Sequence, residues 1–291
     1  MASIIEEYKA QFRKPNNALI QLILINVSVF VLINLLALFG TEVVLFVDKN
    51  IILPKSFTEL LYKPWALFTY MFHHLLFAKG GFSHLFQNML ALWFFGGELA
   101  KLIDGKKIIS IYLLGGLFAG FTFLVVYNFI PYYMGLGNVA LVGASGSVFA
   151  ISVALPTLSP RYGFNIPFVG KIEVRYIVLV FILISVFSLK GSNAGGEVAH
   201  LGGALMGWIY ARGLKKGKNL GSFIEGFFLF VQKMFKPKPK MKVTHHNKTA
   251  PAPVIRTSQE DVDAILDKIK DSGYASLSKT EKQKLFDASE K

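Results

Sequence analysis

The sequence contains no cysteine, which removes disulfides, thiolate nucleophiles and thiolate metal sites in any compartment. Covalent chemistry is left to Ser, Thr, Lys or a carboxylate. Charge is also scarce, at 17% of 291 residues against 53% hydrophobic. Between Ile108 and Pro160 there is no Asp, Glu, Lys, Arg or His. Met1 to Phe12 lacks a short apolar stretch with a small-residue cleavage site and carries Glu6 and Glu7, so it reads as neither a signal nor a transit peptide. Its Ile4, Ile5, Tyr8 and Phe12 instead share one face of an interfacial helix. The net charge of +13 would suit nucleic acid, but most Lys and Arg flank apolar blocks or lie in the tail, where topology and anionic lipid account for them. Nucleic acid is not an expected partner.

What is present is apolar sequence in blocks, the pattern of an all-α polytopic membrane protein. Six segments can be drawn: Ala18 to Phe39, Leu85 to Ile103, Ile108 to Ile130, Ser145 to Leu158, Val174 to Leu189 and Val198 to Leu214. A crossing helix needs roughly 20 residues, so about three of the six are comfortable, the others are short and the fourth is shortest. With a cytoplasmic N-terminus, thirteen flanking Lys and Arg, Lys101, Lys106 and Lys107 among them, fall on the cytoplasmic side. Five, Lys49, Lys55, Lys63, Lys79 and Lys190, fall outside. The asymmetry predicts six spans with both termini inside.

Ser145 to Leu158 would span ~21 Å as a helix at about 1.5 Å per residue. Too short to cross unaided, it should start at membrane depth. Pro131, Gly135, Gly137 and Gly143 interrupt the preceding chain, and irregular backbone at that depth is tolerated only inside protein or beside a wet cavity. Residues 139 to 144 therefore predict a cavity with Ser145 at its edge. The aromatic-rich connection from Gly40 to Ser83 reads as interfacial. Four divisions follow: an N-terminal interfacial segment 1–17, a six-span membrane domain 18–214, a basic, Pro-containing linker 215–258, and a C-terminal helical hairpin 259–291. Val262, Ile265, Leu266 and Ile269 give the hairpin's first helix, Gly273 its stop, and Ser278 with Glu281 a capping box for the second. His245 and His246 in the linker read as solvated.

Gly143-Ala144-Ser145-Gly146 sits between irregular chain and a helix start. Unpaired N–H groups there suit a polarised nucleophile and an oxyanion, and small residues there suit close helix packing equally well. His200 tips the balance, because an ionisable residue inside a span is a functional hypothesis by default. Gly146, Ala150 and Ala154 form one small-residue stripe, and Ala199, Gly203, Gly207 and Ala211 form another; together they let two helices approach. Both segments begin on the outer side, so Ser145 and His200 come level. His84 and Asn88, at i and i+4, share a helix face near the same side and could donate to an oxyanion. Interhelical hydrogen bonding is the plainer use of such a pair.

Gly143-Ala144-Ser145-Gly146, Ala199-His200-Leu201-Gly202-Gly203 with Gly207, and His84 with Asn88 together resemble the rhomboid family of intramembrane serine proteases, in its bacterial type with a cytoplasmic C-terminal extension. The resemblance covers about Ala18 to Leu214. It implies a six-helix bundle with a short fourth helix in the bacterial cytoplasmic membrane, its site opening outward. It implies cleavage of transmembrane protein substrates by a Ser145–His200 dyad without an aspartate. His84, Asn88 and the Ser145 N–H would form the oxyanion site; Gly143, Gly146, Phe149, Gly203 and Gly207 would give packing support. Membrane lipid is the other expected partner, and no cofactor or metal is expected.

Two positions depart from the family pattern: Trp65-Ala66 stands where Trp-Arg is frequent, and Phe149 where a Tyr often packs on the catalytic imidazole. Glu98, after Gly96 and Gly97, fits the family's second span in a structural role. An ionised aspartate would be costly at this depth, which leaves orientation of His200 to packing on Phe149. A metalloprotease using His73, His74 and His84 lacks a His-Glu-x-x-His pattern. An aspartyl protease would need Asp where Asn138 stands, and a transporter lacks an inverted repeat or intramembrane acid pair. The alternative within the family is a catalytically inactive binder of transmembrane helices.

Overall fold

The computed structural model describes residues 4–13, 17–76, 80–137, 139–166, 170–235 and 258–289. Asn138, Phe77, Lys79, residues 236–257 of the linker with His245 and His246, and the side chains of Ile4, Ile5 and Tyr8 lie outside the described residues; the part of the linker that is described carries a helix over Ser222–Phe235. The chain divides into two compact units, residues 1–236 and 237–291. The first begins with helices α1 (Ile4–Arg13) and α2 (Ala18–Leu36), the latter prolonged by a 3-10 turn through Phe39. Then come α3 (Thr41–Ile51), strand β1 (Leu53–Pro54), α4 (Phe57–Tyr62) and α5 (Ala66–Thr69) within the connection expected to be interfacial. The bundle continues through α6 (Gly81–Leu99), α7 (Gly105–Phe129), α8 (Pro131–Met134), β2 (Ala140–Leu141) and α9 (Ser145–Leu158). It closes with β3 (Gly163–Ile166), β4 (Gly170–Glu173), α10 (Val174–Phe187), α11 (Ala194–Lys215) and α12 (Ser222–Phe235).

The fourth apolar segment is helical over its whole expected length, while its neighbours shift. The second runs Gly81–Leu99 rather than Leu85 to Ile103, because Gly80 takes a left-handed conformation that starts it early. The third starts at Gly105, since Asp104 caps it by accepting the Lys107 N–H at 3.2 Å. The sixth begins at Ala194, four residues before Val198. Between α9 and α10 the chain forms an antiparallel hairpin, Gly163 opposite Glu173 and Ile166 opposite Gly170, where only a connection was expected. Tyr162 at its base donates to the Glu98 carboxylate, which also accepts from Lys101 Nζ at 2.6 Å. That fastens the end of α6 to the hairpin.

Helix α9 lies at the centre. Gly146 through Ala154 are buried apart from Phe149, as expected for a helix that is apolar all round. A Cβ on Gly203 would lie 2.0 Å from the Gly146 carbonyl oxygen, and one on Gly207 2.1 Å from that of Ala150. Helix α11 therefore rests directly on the backbone of α9. Gly115 of α7 packs on another side against a side chain, where an added Cβ would come within 2.3 Å of Ala150 Cβ. A buried polar node ties α2 to α7: Asn26 Nδ2 donates to Tyr112 Oη at 3.0 Å, and Tyr112 donates to the Met71 carbonyl at 3.1 Å.

The outer surface is strongly apolar. Leu32 and Leu35 of α2 and Leu179, Val180, Ile184 and Phe187 of α10 are exposed. Ala18–Phe39 and Gly105–Phe129 are long and apolar enough to cross a bilayer, and Ser145–Leu158, Val174–Phe187 and Ser222–Val231 are shorter apolar helices. An apolar surface of this extent marks contact with lipid or with other protein.

In the second unit, α13 (Gln259–Ser272) and α14 (Lys279–Ser289) pair through Lys268 Nζ and Glu281 Oε1 at 2.8 Å. Ser278 N–H donates to Glu281, and Ser278 Oγ accepts the Glu281 N–H, closing the cap on α14. A second cap, Ser258 with Asp261, opens α13.

Two outcomes follow. Gly203→Val overpacks the α9–α11 contact and should cost about 1–3 kcal/mol or more, read as a lower Tm in detergent. Gly226→Ala, with nothing within 4 Å of the new Cβ, should hold or raise Tm, because Ala is the better helix former by about 0.5–1 kcal/mol. The Lys268 ammonium, then the Ser278 groups, hold the Glu281 carboxyl down at about 2. The pairing thus contributes fully above the unfolded value of ~4.3 and fades as pH falls toward about 2. A carbon-13 titration should find that depressed value, and Lys268→Ala should move it back up.

Candidate active site

Ser145 opens α9, where the first-turn N–H groups have no carbonyl a turn behind them. Its approach is fixed by backbone. Leu141 pairs with Leu53 and Ala140 with Pro54, and Gly143 N–H donates to the Tyr70 carbonyl at 3.0 Å. Gly143 has φ +107°, a region open to glycine, and an added Cβ would meet His84 Cε1 at 2.6 Å and Nε2 at 2.9 Å. The turn before Ser145 is therefore the seat of the His84 ring.

His84 and Asn88 come from the first turns of α6. Asn88 is buried, and its Nδ2 donates to the His84 carbonyl at 2.8 Å, leaving a second amide hydrogen. Behind His84 the His74 ring packs edge-on, with centroids 5.1 Å apart. Burial, with His84 and His73 nearby, holds the His74 imidazole down to about 3, so this loop residue is neutral. His73 is also lowered, by burial against the opposing pull of Asp48, whose Oδ1 lies 3.0 Å from His73 Nε2. Among the described residues no group of three or more His, Cys, Asp or Glu side chains is arranged to hold a metal ion.

His200 comes from α11. Its ring stacks on Phe149, with centroids 4.3 Å apart and planes 7° from parallel. Phe149 is one turn beyond Ser145, so a single helix supplies both the hydroxyl and the surface under the imidazole. On its far edge, His200 Nδ1 lies 3.1 Å from Glu197 Oε2 and 3.2 Å from Ser185 Oγ. Neither contact was foreseen: a span begun at Val198 stops one residue short of Glu197. An acid three residues before a helical histidine was the signal in the sequence.

His84, Asn88, Ser145, Phe149, Glu197 and His200 all line one cavity of about 860 Å³, whose wall also includes Val139 to Val142. Gly143, Gly146, Gly203 and Gly207 stand behind it, where Cβ atoms would collide with His84, Ala119, Gly146 and Ala150 respectively. A hydroxyl at a helix start, an imidazole and amide donors around a shared void form the parts list for acyl transfer.

The first loop is anchored without the arginine that the resemblance leads one to expect. Ala66 is fully buried. Trp65 Nε1 donates to the Asn50 carbonyl and Thr69 Oγ1 to that of Ile51, both at 2.9 Å. Lys55 Nζ donates to the Leu136 carbonyl at 2.5 Å, Asn128 Nδ2 to that of Lys55 at 2.6 Å, and Tyr70 Oη to that of Gly116 at 2.6 Å.

The Rhomboid domain family model matches residues 62–216, and a family of unknown function, DUF6576, matches residues 256–291. Rhomboid protein 1, mitochondrial, of Saccharomyces cerevisiae is 31% identical over 141 residues, covering 46% of this chain and 38% of that protein. RHOMBOID-like protein 12, mitochondrial, of Arabidopsis thaliana is 30% identical over 149 residues, covering 47% and 44%. Rhomboid-like protein 15 of the same plant is 27% identical over 168 residues, covering 55% and 41%. The chain spans less than half the length of these relatives. The Rhomboid match takes in more than half of the chain, together with each cavity side chain from His84 to His200, and the chain is a membrane protein of the rhomboid family.

Proposed function

We propose that this protein is an intramembrane serine endopeptidase that hydrolyses a peptide bond in or next to the transmembrane helix of a membrane-protein substrate. The observation that carries the reading is convergence: α9, α11 and α6 bring Ser145, His200, and His84 with Asn88 to one cavity. In this reading α2, α6, α7, α9, α10 and α11 are six spans with both termini cytoplasmic, and the cavity opens to the extracytoplasmic side, following the Lys and Arg asymmetry. Residues 18–214 are the membrane domain, and 259–291 a helical hairpin beyond the linker.

Ser145 Oγ attacks the scissile carbonyl carbon while His200 Nε2 takes its proton. The resulting oxyanion accepts hydrogen bonds from the Ser145 N–H and from the His84 and Asn88 side chains, which cost no reorganisation because packing already fixes them. The protonated imidazole passes its proton to the leaving amine, and an acyl-enzyme forms. Water entering the cavity gives up a proton to His200, attacks the ester and restores Ser145.

Purified protein in detergent should react with a fluorophosphonate and cleave a transmembrane substrate. Ser145→Ala should abolish labelling, and Ser145→Ala or His200→Ala should lower turnover at least about a thousandfold. Equal labelling of the wild type and both variants would sink the proposal. Asn88→Ala should lower kcat by about 10²- to 10³-fold, the range for one lost oxyanion donor.

A further inference from the structure

We infer that Glu197 is a positioning residue for His200: its carboxylate accepts the Nδ1–H, which leaves the Nε2 lone pair free for the Ser145 proton. The inference rests on the protease reading and adds a positioning residue to its dyad. Packing on Phe149 fixes the plane of the imidazole, but a stack cannot decide which nitrogen holds the hydrogen. That decision belongs to whatever touches the ring edge. Two oxygens do so, Glu197 Oε2 at 3.1 Å and Ser185 Oγ at 3.2 Å from Nδ1.

The two oxygens are not equivalent. A hydroxyl both donates and accepts, so Ser185 alone would tolerate either tautomer. An ionised carboxylate only accepts, and it is satisfied only by Nδ1–H. Wrong tautomer choice is costly where a serine must lose its proton to the other nitrogen.

The pair is also sheltered. The side chains of His200 and Glu197 are 15% and 13% exposed, so their contact escapes most of the screening that weakens surface ion pairs. Asn193 Nδ2 lies 3.4 Å from the second carboxylate oxygen, Oε1, and so contributes to its orientation. Glu197 stands in the first turn of α11, where an anion meets the positive end of the helix dipole. These features lower the cost of keeping an acid charged near the membrane interior. The sequence thus meets the problem of burying a third acid by setting it at a helix start rather than in mid-span.

The test uses the full chain in detergent, with kcat and KM for a transmembrane substrate, fluorophosphonate labelling, Tm, and nitrogen-15 NMR of the His200 ring. The wild type should show Nδ1 protonated and Nε2 bare. Glu197→Gln, which keeps shape but can also donate, should lower kcat about a hundredfold, leave KM within about twofold and shift the ring toward the other tautomer. Full kcat with an unchanged tautomer in Glu197→Gln would overturn the inference and leave the protease reading standing. If that variant does not fold, the wild-type spectrum decides, because Nε2 protonated and Nδ1 bare would itself overturn the assignment. A wild type that neither cleaves nor labels would overturn the protease reading and this inference with it.

Discussion

Gly203 and Gly207 let α11 lie with its backbone against the Gly146 and Ala150 carbonyls of α9, and the cavity is built outward from that contact. In a bilayer the hydrophobic effect gives helices little reason to associate, so close van der Waals fit must supply it. The fit is directional as well as adhesive. Since no side chain separates the two helices, α11 cannot slide along α9 without driving one backbone into the other. The register that brings Ser145 and His200 to one void is therefore a consequence of packing rather than of any bond between them.

The remaining walls are tied to that pair by main-chain atoms. The Tyr70 carbonyl receives the Gly143 N–H, and β1 pairs with β2 just before Ser145. A loop outside the spans thus fixes the entry to the nucleophile's helix. Tyr70 in turn is fully buried and bonded to Gly116 of α7. Lys55 and Asn128 add cross-links between the first loop and the segment leading to β2. These contacts explain how a chain with Ala66 keeps its first loop in place.

Legibility in the sequence followed the scale of the signal. Helix α9 was readable because Gly143 ends an irregular segment and Pro160 closes the apolar run that follows it. The stripe from Gly203 to Gly207 was readable because spacing by four is a property of any helix. The start of α11 was hidden because Ala194, Gly195, Gly196 and Glu197 do not look like a span, yet they complete its first turn. The β3–β4 hairpin was hidden for another reason: four-residue strands alternate too briefly to be told from loop. The Tyr162–Glu98 bond joins residues 64 apart and leaves no periodic trace. Glu197 was visible as a residue and lost as a contact, because where a span is taken to begin decides which residues are read as part of it.

The fit between Gly143 and His84 differs in kind from the ionic contact at the far edge of His200. His84 rests in the hollow left by a missing methyl group, so one side of its seat is steric rather than ionic. A ring held by shape keeps its place as ionic strength changes, whereas one held by a counter-charge is loosened by screening. The cost is rigidity: the turn and the ring behave as one mechanical piece, and a side chain at residue 143 would displace His84.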